Sequence, residues 1–135
     1  MEKATIYHNP ECGTSRNVLG ILQHAGLDVE VIHYLETPPS PAELTDLVKS
    51  MGISWRDLIR TNVAEYQSHG LDKENASDAE ILQAMMDAPI LINRPIVVTS
   101  KGVKLARPSE AVLDILPVPL PSPYTKEDGE IVNPL

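Results

Sequence analysis

The sequence predicts an α/β fold in which a βαβ unit is followed by a helical insert and then a ββα unit, around a mixed sheet. Two β-rich runs near the N-terminus, residues 4–8 and 29–35, flank an amphipathic helical segment. Two further β-rich runs, residues 96–99 and 103–106, are separated by a short turn. Helix-capping signals fill residues 40–88 between these pairs. Strands and helices in this order indicate helices packed on a sheet.

The first strand, Ala4–His8, alternates apolar and polar residues and is rich in β-formers. Thr14 or Ser15 can cap the helix that follows, and Gly26 is a suitable residue to end it. Val29–Leu35 then reads as a second strand. A strand, a helix of this length and another strand predict a parallel βαβ unit.

The insert carries three helix-start signals. Ser40 with Glu43 forms a capping box and predicts a helix from Pro41 through Val48, closed by Gly52. The remaining signals are Ser54 with Asp57, for a short helix to about Arg60, and Ser77 with Glu80, for a helix to about Ala88.

The later strands, Ile96–Thr99 and Val103–Ala106, flank the turn Ser100-Lys101-Gly102 and predict a hairpin. Pairing Thr99 with Val103 would place Pro95 opposite Arg107. The last helix is expected to begin at Ser109 and Glu110 and to end near Leu116.

Residues 117–135 hold five of the twelve prolines and are expected to lack regular structure. The sequence therefore predicts one domain over residues 1–116, with an insert at about 40–88 and a proline-rich tail. Its element order is the plan of the thioredoxin fold with an insertion.

The net charge of −8 argues against nucleic acid or an acidic membrane surface as a partner. The sequence shows no secretory signal pattern and no long apolar span, so a soluble cytoplasmic protein is expected. A lone cysteine cannot form an internal disulfide and lacks the thiol partners of a structural zinc site. No bound metal or cofactor is expected.

Cys12, the only cysteine, lies between the first strand and the first helix. A lone cysteine is most often a buried, inert residue. The polar neighbours, Gly13 and the free amides of the helix instead favour a reactive thiolate. Lowering a thiol pKa from ~8.5 to ~6.5 raises the thiolate fraction at pH 7 from ~3% to ~75% and takes about 2.7 kcal/mol. A helix terminus supplies only ~0.3–1 kcal/mol, so a cation such as His8, Arg16 or a distant arginine is also needed.

Arg94 precedes the first hairpin strand and Arg107 follows the second, so both should lie at the open end of the hairpin. Either arginine alone is ordinarily a solvated charge. Two guanidiniums together in an acidic protein instead predict a site for a multiply charged oxyanion. The thioredoxin plan also places a cis proline before this strand, and Pro95 is the candidate.

Two known cysteine loops do not match. A phosphatase-type loop needs arginine six residues after the cysteine, where this chain has Val18. A dithiol redox motif needs cysteine three residues on, where this chain has Ser15. Any resolving thiol must therefore come from another molecule.

The chain resembles the glutaredoxin-linked arsenate reductases of bacteria, a thioredoxin-fold family, over residues 4–116. The matching blocks are His8-Asn9-Pro10 with Cys12–Arg16, Tyr34-Leu35-Glu36 with Pro38-Pro39-Ser40, Met51–Ser54, Ile90–Thr99 and Arg107–Leu116.

The resemblance implies that Cys12 is the nucleophile that reduces arsenate to arsenite, and that Arg60, Arg94 and Arg107 bind arsenate. It makes His8 and Ser15 tuners of the thiolate, with glutathione as co-substrate and glutaredoxin as partner. The role of Arg60 follows from the match alone.

Two other functions remain open on the sequence. One is a redox-sensing regulator of the same fold, although such proteins usually carry two cysteines and Ser15 replaces the second here. The other is a monothiol glutaredoxin-like protein that holds an iron-sulfur cluster with glutathione, because Cys12-Gly13-Thr14-Ser15 has the single-thiol spacing.

Overall fold

The computed structural model describes all residues from 1 to 135, in two compact units. The first unit consists of Met1–His33 and Arg94–Leu135, and the second of Tyr34–Asn93. The first contains a four-stranded sheet, and the second contains the helices of the insert.

The sheet of the first unit has the strand order β2-β1-β3-β4. Its strands are β1 (Lys3–His8), β2 (Asp28–His33), β3 (Ile96–Thr99) and β4 (Gly102–Leu105). Strands β1 and β2 are parallel, whereas β3 is antiparallel to both β1 and β4. The predicted α/β plan with a mixed sheet is confirmed.

Helix α1 (Gly13–His24) packs its apolar stripe on this sheet. Val18, Ile21 and Leu22 are fully buried because their spacing places them on one helical face. They belong to a core that also includes Ile6 and Val97. The helix therefore rests on the strands and fixes the loop that precedes it.

The prediction that Thr14 or Ser15 caps α1 is wrong, because both residues lie inside the helix and Cys12 occupies the N-cap position. No side chain caps this helix. The Ser15 hydroxyl is instead used in a hydrogen bond with the imidazole of His8. A capping residue and a tertiary hydrogen-bond partner look the same in the sequence.

The predicted register of the hairpin is also wrong by one residue. Thr99 pairs with Gly102 rather than Val103, and the Ala106 N–H donates to the Pro95 carbonyl at 3.0 Å. The Thr99 hydroxyl accepts from the Lys101 N–H at 3.1 Å, which closes a tighter turn than the sequence suggested. The open end of the hairpin still carries the arginines on either side.

The last helical segment of this unit, Ser109–Ile115, is a 3₁₀ helix. Its N-cap residue is Pro108, and no side chain caps it. The prediction that the tail lacks regular structure is wrong, because Tyr124–Thr125 (β5) and Ile131–Val132 (β6) form a small antiparallel hairpin. Val132 is 2% exposed and belongs to the core, so burial of apolar residues orders this segment despite its prolines.

The second unit consists of α2 (Pro41–Met51), α3 (Ala64–Ser68), α4 (Asp78–Asp87) and two short 3₁₀ segments, Arg56–Leu58 and Pro89–Leu91. The Ser40 and Ser77 caps are confirmed: each hydroxyl accepts from the backbone N–H three residues later, at 3.1 and 3.2 Å. Helix α3 was not predicted, and it has neither a side-chain cap nor a buried residue to reveal it. No helix of the protein has the length and apolar character needed to span a membrane.

Candidate active site

A tight turn positions the thiol at the start of α1. The Cys12 N–H donates to the Asn9 carbonyl at 3.0 Å, and the Asn9 side-chain oxygen accepts from the Glu11 N–H at 3.0 Å. Pro10 occupies the second position of this turn, where its restricted φ angle is favourable. The loop therefore delivers the cysteine to the N-cap position, next to the free amides of the helix.

The surroundings of Cys12 favour its thiolate. Burial raises the pKa of the thiol, and this effect is outweighed by a hydrogen bond from the Ser15 backbone N–H, the positive charge of Arg94 and hydrogen bonds from Arg107 and Arg94. The net result is a pKa below that of an ordinary cysteine. The cations that the sequence argument required are thus two arginines, in addition to a helix amide.

The two hairpin arginines come together beside the sulfur. Arg107 Nη1 lies 3.7 Å from Cys12 Sγ and donates to the Arg94 carbonyl at 3.0 Å. Arg94 is only 8% exposed, so its charge acts in a partly desolvated setting. The Arg94-Pro95 and Arg107-Pro108 peptide bonds are both cis. The first is the isomer expected from the thioredoxin plan, whereas nothing in the sequence suggested the second.

His8 and Ser15 form a buried pair behind the thiol loop. His8 Nδ1 lies 2.7 Å from Ser15 Oγ, which also accepts from the Asn9 N–H at 3.1 Å. Burial lowers the pKa of His8, and the nearby His33 and Arg16 lower it further. The lowered pKa favours the neutral imidazole over the positive charge considered from the sequence. Its contact with the thiol loop is the hydrogen bond to Ser15.

Arg60 belongs to the second unit, after the segment Arg56–Leu58. Its backbone N–H donates to the Leu91 carbonyl at 2.8 Å, and its Nε donates to Asn62 Oδ1 at 3.1 Å. The side chain is half-buried. Its role in binding arsenate stays a prediction.

Asn9 was not predicted as a site residue, yet it is 4% exposed and stabilises the turn through both its backbone and its side chain. The signal in the sequence is the Asn9-Pro10 pair, which marks a tight turn as well as the end of a strand. The protein has no group of three or more histidine, cysteine, aspartate or glutamate residues that could hold a metal ion.

The fold and the site together define a thioredoxin-like protein with one activated thiol beside two guanidiniums. Such a site can bind a tetrahedral oxyanion and present a nucleophile to its central atom. The family model described as the ArsC family matches residues 7–115. The chain belongs to the ArsC family.

Known relatives agree with this assignment. An arsenate reductase of Escherichia coli is 54% identical over 132 residues, which covers 98% of this chain and 94% of that protein. One of Yersinia enterocolitica is 54% identical over 133 residues, with the same coverage. A solved structure of an arsenate reductase from Vibrio cholerae superposes with a TM-score of 0.81 at 40% identity, covering 85% of this chain and 98% of that one.

Proposed function

We propose that this protein is an arsenate reductase in which Cys12 attacks arsenate and in which glutathione and glutaredoxin supply the reducing equivalents. The observation that carries the proposal is the position of Arg107 Nη1, 3.7 Å from the sulfur of a cysteine whose pKa is lowered. Relatives named arsenate reductase that are 54% identical over 98% of this chain support the choice of substrate.

The first step is attack of the Cys12 thiolate on As(V). Arsenate at neutral pH carries one to two negative charges, so an unassisted thiolate would be repelled. Arg94 and Arg107 offset this charge and stabilise it as it concentrates on the arsenate oxygens. A sulfur-arsenic bond forms, a protonated oxygen leaves as water, and a covalent cysteine-arsenate adduct remains. By the resemblance described above, Arg60 is proposed as a third ligand of the oxyanion.

The second step transfers two electrons to arsenic. The protein has no second cysteine to form a disulfide with Cys12. A glutathione thiol is proposed to react with the adduct, so that a sulfur-sulfur bond forms, the sulfur-arsenic bond breaks and arsenite leaves. Glutaredoxin then removes glutathione from the mixed disulfide and restores the free thiol. No bound cofactor is needed, and a cytoplasmic location would give access to both thiols.

The direct test is a coupled assay that measures arsenite formed from arsenate. Wild-type protein is expected to turn over only when glutathione and glutaredoxin are both present, and Cys12→Ser is expected to be inactive. Ser68→Ala, an exposed serine of the second unit, serves as a control that should keep full activity. Arsenite production by Cys12→Ser at the wild-type rate would overturn the assignment of the nucleophile. Full turnover with glutathione alone would overturn the role of glutaredoxin.

A further inference from the structure

A C-terminal strap, residues 122–132, lies along α1 and reaches the first turn of that helix, next to the thiol. The Tyr124 ring packs over Gly20, where a Cβ atom would overlap the phenol. His24 Nε2 lies 3.0 Å from Ser122 Oγ and 3.1 Å from the Ser122 carbonyl. The strap follows residues 7–115, the segment that the family model matches.

The tip of the strap binds Arg16, which lies one helical turn beyond Cys12. Glu127 accepts two hydrogen bonds from Arg16, from Nε at 2.9 Å and from Nη2 at 3.0 Å, in a bidentate pair. Its backbone N–H donates to Asn17 Oδ1 at 3.1 Å. The hydrogen bonds from Arg16 lower the pKa of the Glu127 carboxyl, so both partners are charged at neutral pH. The carboxylate is therefore oriented by contacts on its side chain and on its backbone.

Arg16 also binds the loop that carries Cys12. Its third nitrogen, Nη1, donates to the Pro10 carbonyl at 2.7 Å. Pro10 lies inside the turn that Cys12 N–H and the Asn9 carbonyl close. All three guanidinium nitrogens are engaged, two by Glu127 and one by the loop. The planar guanidinium can satisfy both partners in only one orientation.

The neighbouring residue of the strap contacts the segment that follows Arg107. Lys126 Nζ lies 2.6 Å from Glu110 Oε1, and the Lys126 side chain is only 10% exposed. Glu110 follows Arg107 by three residues in the chain. Two consecutive strap residues thus bind the two segments that bring the thiol and a guanidinium together.

We propose that Glu127 is a positioning residue of the active site, holding Arg16 in the orientation that fixes the Cys12 loop through the Pro10 carbonyl. An exposed ion pair by itself contributes little to stability, and the side chains of Arg16 and Glu127 are 43% and 50% exposed. The consequence of this pair is therefore expected in the geometry of the loop rather than in the stability of the fold. The inference deepens the proposed function but has a readout that needs no arsenate.

A positioning role and a simple charge effect shift the reactivity of the thiol in opposite directions. If Glu127 acted only through its charge, Glu127→Gln would remove a negative group and favour the thiolate. If Glu127 positions the loop, the same substitution weakens the hydrogen bond that Cys12 receives from the Ser15 N–H and disfavours the thiolate. The sign of the change in the thiol pKa therefore distinguishes the positioning role of Glu127 from a simple charge effect.

The experiment measures the rate of iodoacetamide alkylation against pH. Cys12 is the only cysteine, so the rate reports on it alone. Glu127→Gln is expected to move the midpoint to higher pH and to slow alkylation at pH 6.5 on the order of two- to five-fold. The matched control is Asp114→Asn, which breaks the similarly exposed ion pair between Lys104 and Asp114, 2.9 Å apart. This control should change neither the midpoint nor the alkylation rate at pH 6.5. An unchanged midpoint, or one at lower pH, would overturn the proposal.

A double substitution tests whether Glu127 acts through Arg16. Glu127→Gln added to Arg16→Ala is expected to cause no further shift of the midpoint, because the side chain through which Glu127 is proposed to act is already absent. Additive shifts would show that Arg16 is not the intermediary. With arsenate, Glu127→Gln should lower kcat with KM within about two-fold, since the substrate ligands remain. If neither the wild type nor any variant reduces arsenate while Glu127→Gln still shifts the alkylation midpoint, the proposed function is refuted and the positioning role of Glu127 stands.

Discussion

At the residue scale, the reactivity of Cys12 depends on a balance between burial and neighbouring donors. Burial raises the pKa of the thiol, while the Ser15 N–H, Arg94 and Arg107 lower it by a larger amount in sum. An acid whose pKa is lowered in the folded protein carries its charge over a wider pH range. The thiolate therefore persists as pH falls below the value at which a free cysteine becomes protonated.

Arg94→Ala and Arg107→Ala are each expected to raise the pKa of Cys12 and to reduce alkylation at pH 7 about three- to ten-fold, because each removes a positive charge near the sulfur. Both should also raise the KM for arsenate. The rate of alkylation across pH 5 to 9 measures the first effect, and steady-state kinetics measures the second. Lys101→Ala, at the turn of the same hairpin, removes a charge from its opposite end and serves as the control. Identical alkylation profiles for all three variants would show that Arg94 and Arg107 do not lower the pKa of Cys12.

The sequence predicted the components of this site but not how they cooperate. Cys12, Arg94 and Arg107 were recognisable because their spacing around a helix start and a hairpin is a local property. The lowered pKa of His8 was not predictable, since it results from burial and from His33, which is 25 residues away in the chain. Ser15 was expected to act on the thiol, and its backbone N–H does so while its hydroxyl serves His8.

At the scale of the element, α1 connects the thiol loop to the C-terminal strap. Its inner face is apolar and packs on the sheet, while Gly20 lies beneath the Tyr124 ring. A glycine inside a helix costs about 1 kcal/mol relative to alanine, so its presence here needs a reason. The close approach of the phenol supplies that reason.

Gly20→Ala is expected to lower the free energy of unfolding by about 1 kcal/mol, although alanine favours helix, because the new methyl group displaces the Tyr124 ring. In a Tyr124→Ala background the same change should be neutral or stabilising. Urea denaturation of the two single variants and the double variant measures this coupling. A stabilising effect of Gly20→Ala in the wild-type background would show that the ring does not constrain this position.

At the scale of the whole molecule, residues 117–135 are part of the first unit rather than an appendage. Leu120 is 5% exposed and Val132 is 2% exposed, and both belong to the core. The abundance of prolines concealed this role, since composition describes local conformational preference and not the burial of a few apolar residues.

A chain that ends at Leu116 is therefore expected to lose at least about 3 kcal/mol of stability, because two buried apolar side chains of the tail are removed and their neighbours are exposed. Deletion of residues 133–135, which are exposed, should change the stability little. Urea unfolding followed by circular dichroism compares the two truncations with the full chain. Equal midpoints for all three would contradict a structural role of the tail.

The sequence by itself determined the order of the four sheet strands and of helices α1, α2 and α4, the capped starts of α2 and α4, the position of Cys12 before a helix, and the placement of Arg94 and Arg107 at one end of a hairpin. Each of these depends on interactions within a few residues or on the period of apolar side chains. Only the tertiary structure decided the one-residue register of the hairpin, the use of the Ser15 hydroxyl by His8, and the contact of the strap with the thiol loop. In these cases one polar group has several possible partners, and the partner it takes is set by which distant segments the core brings together.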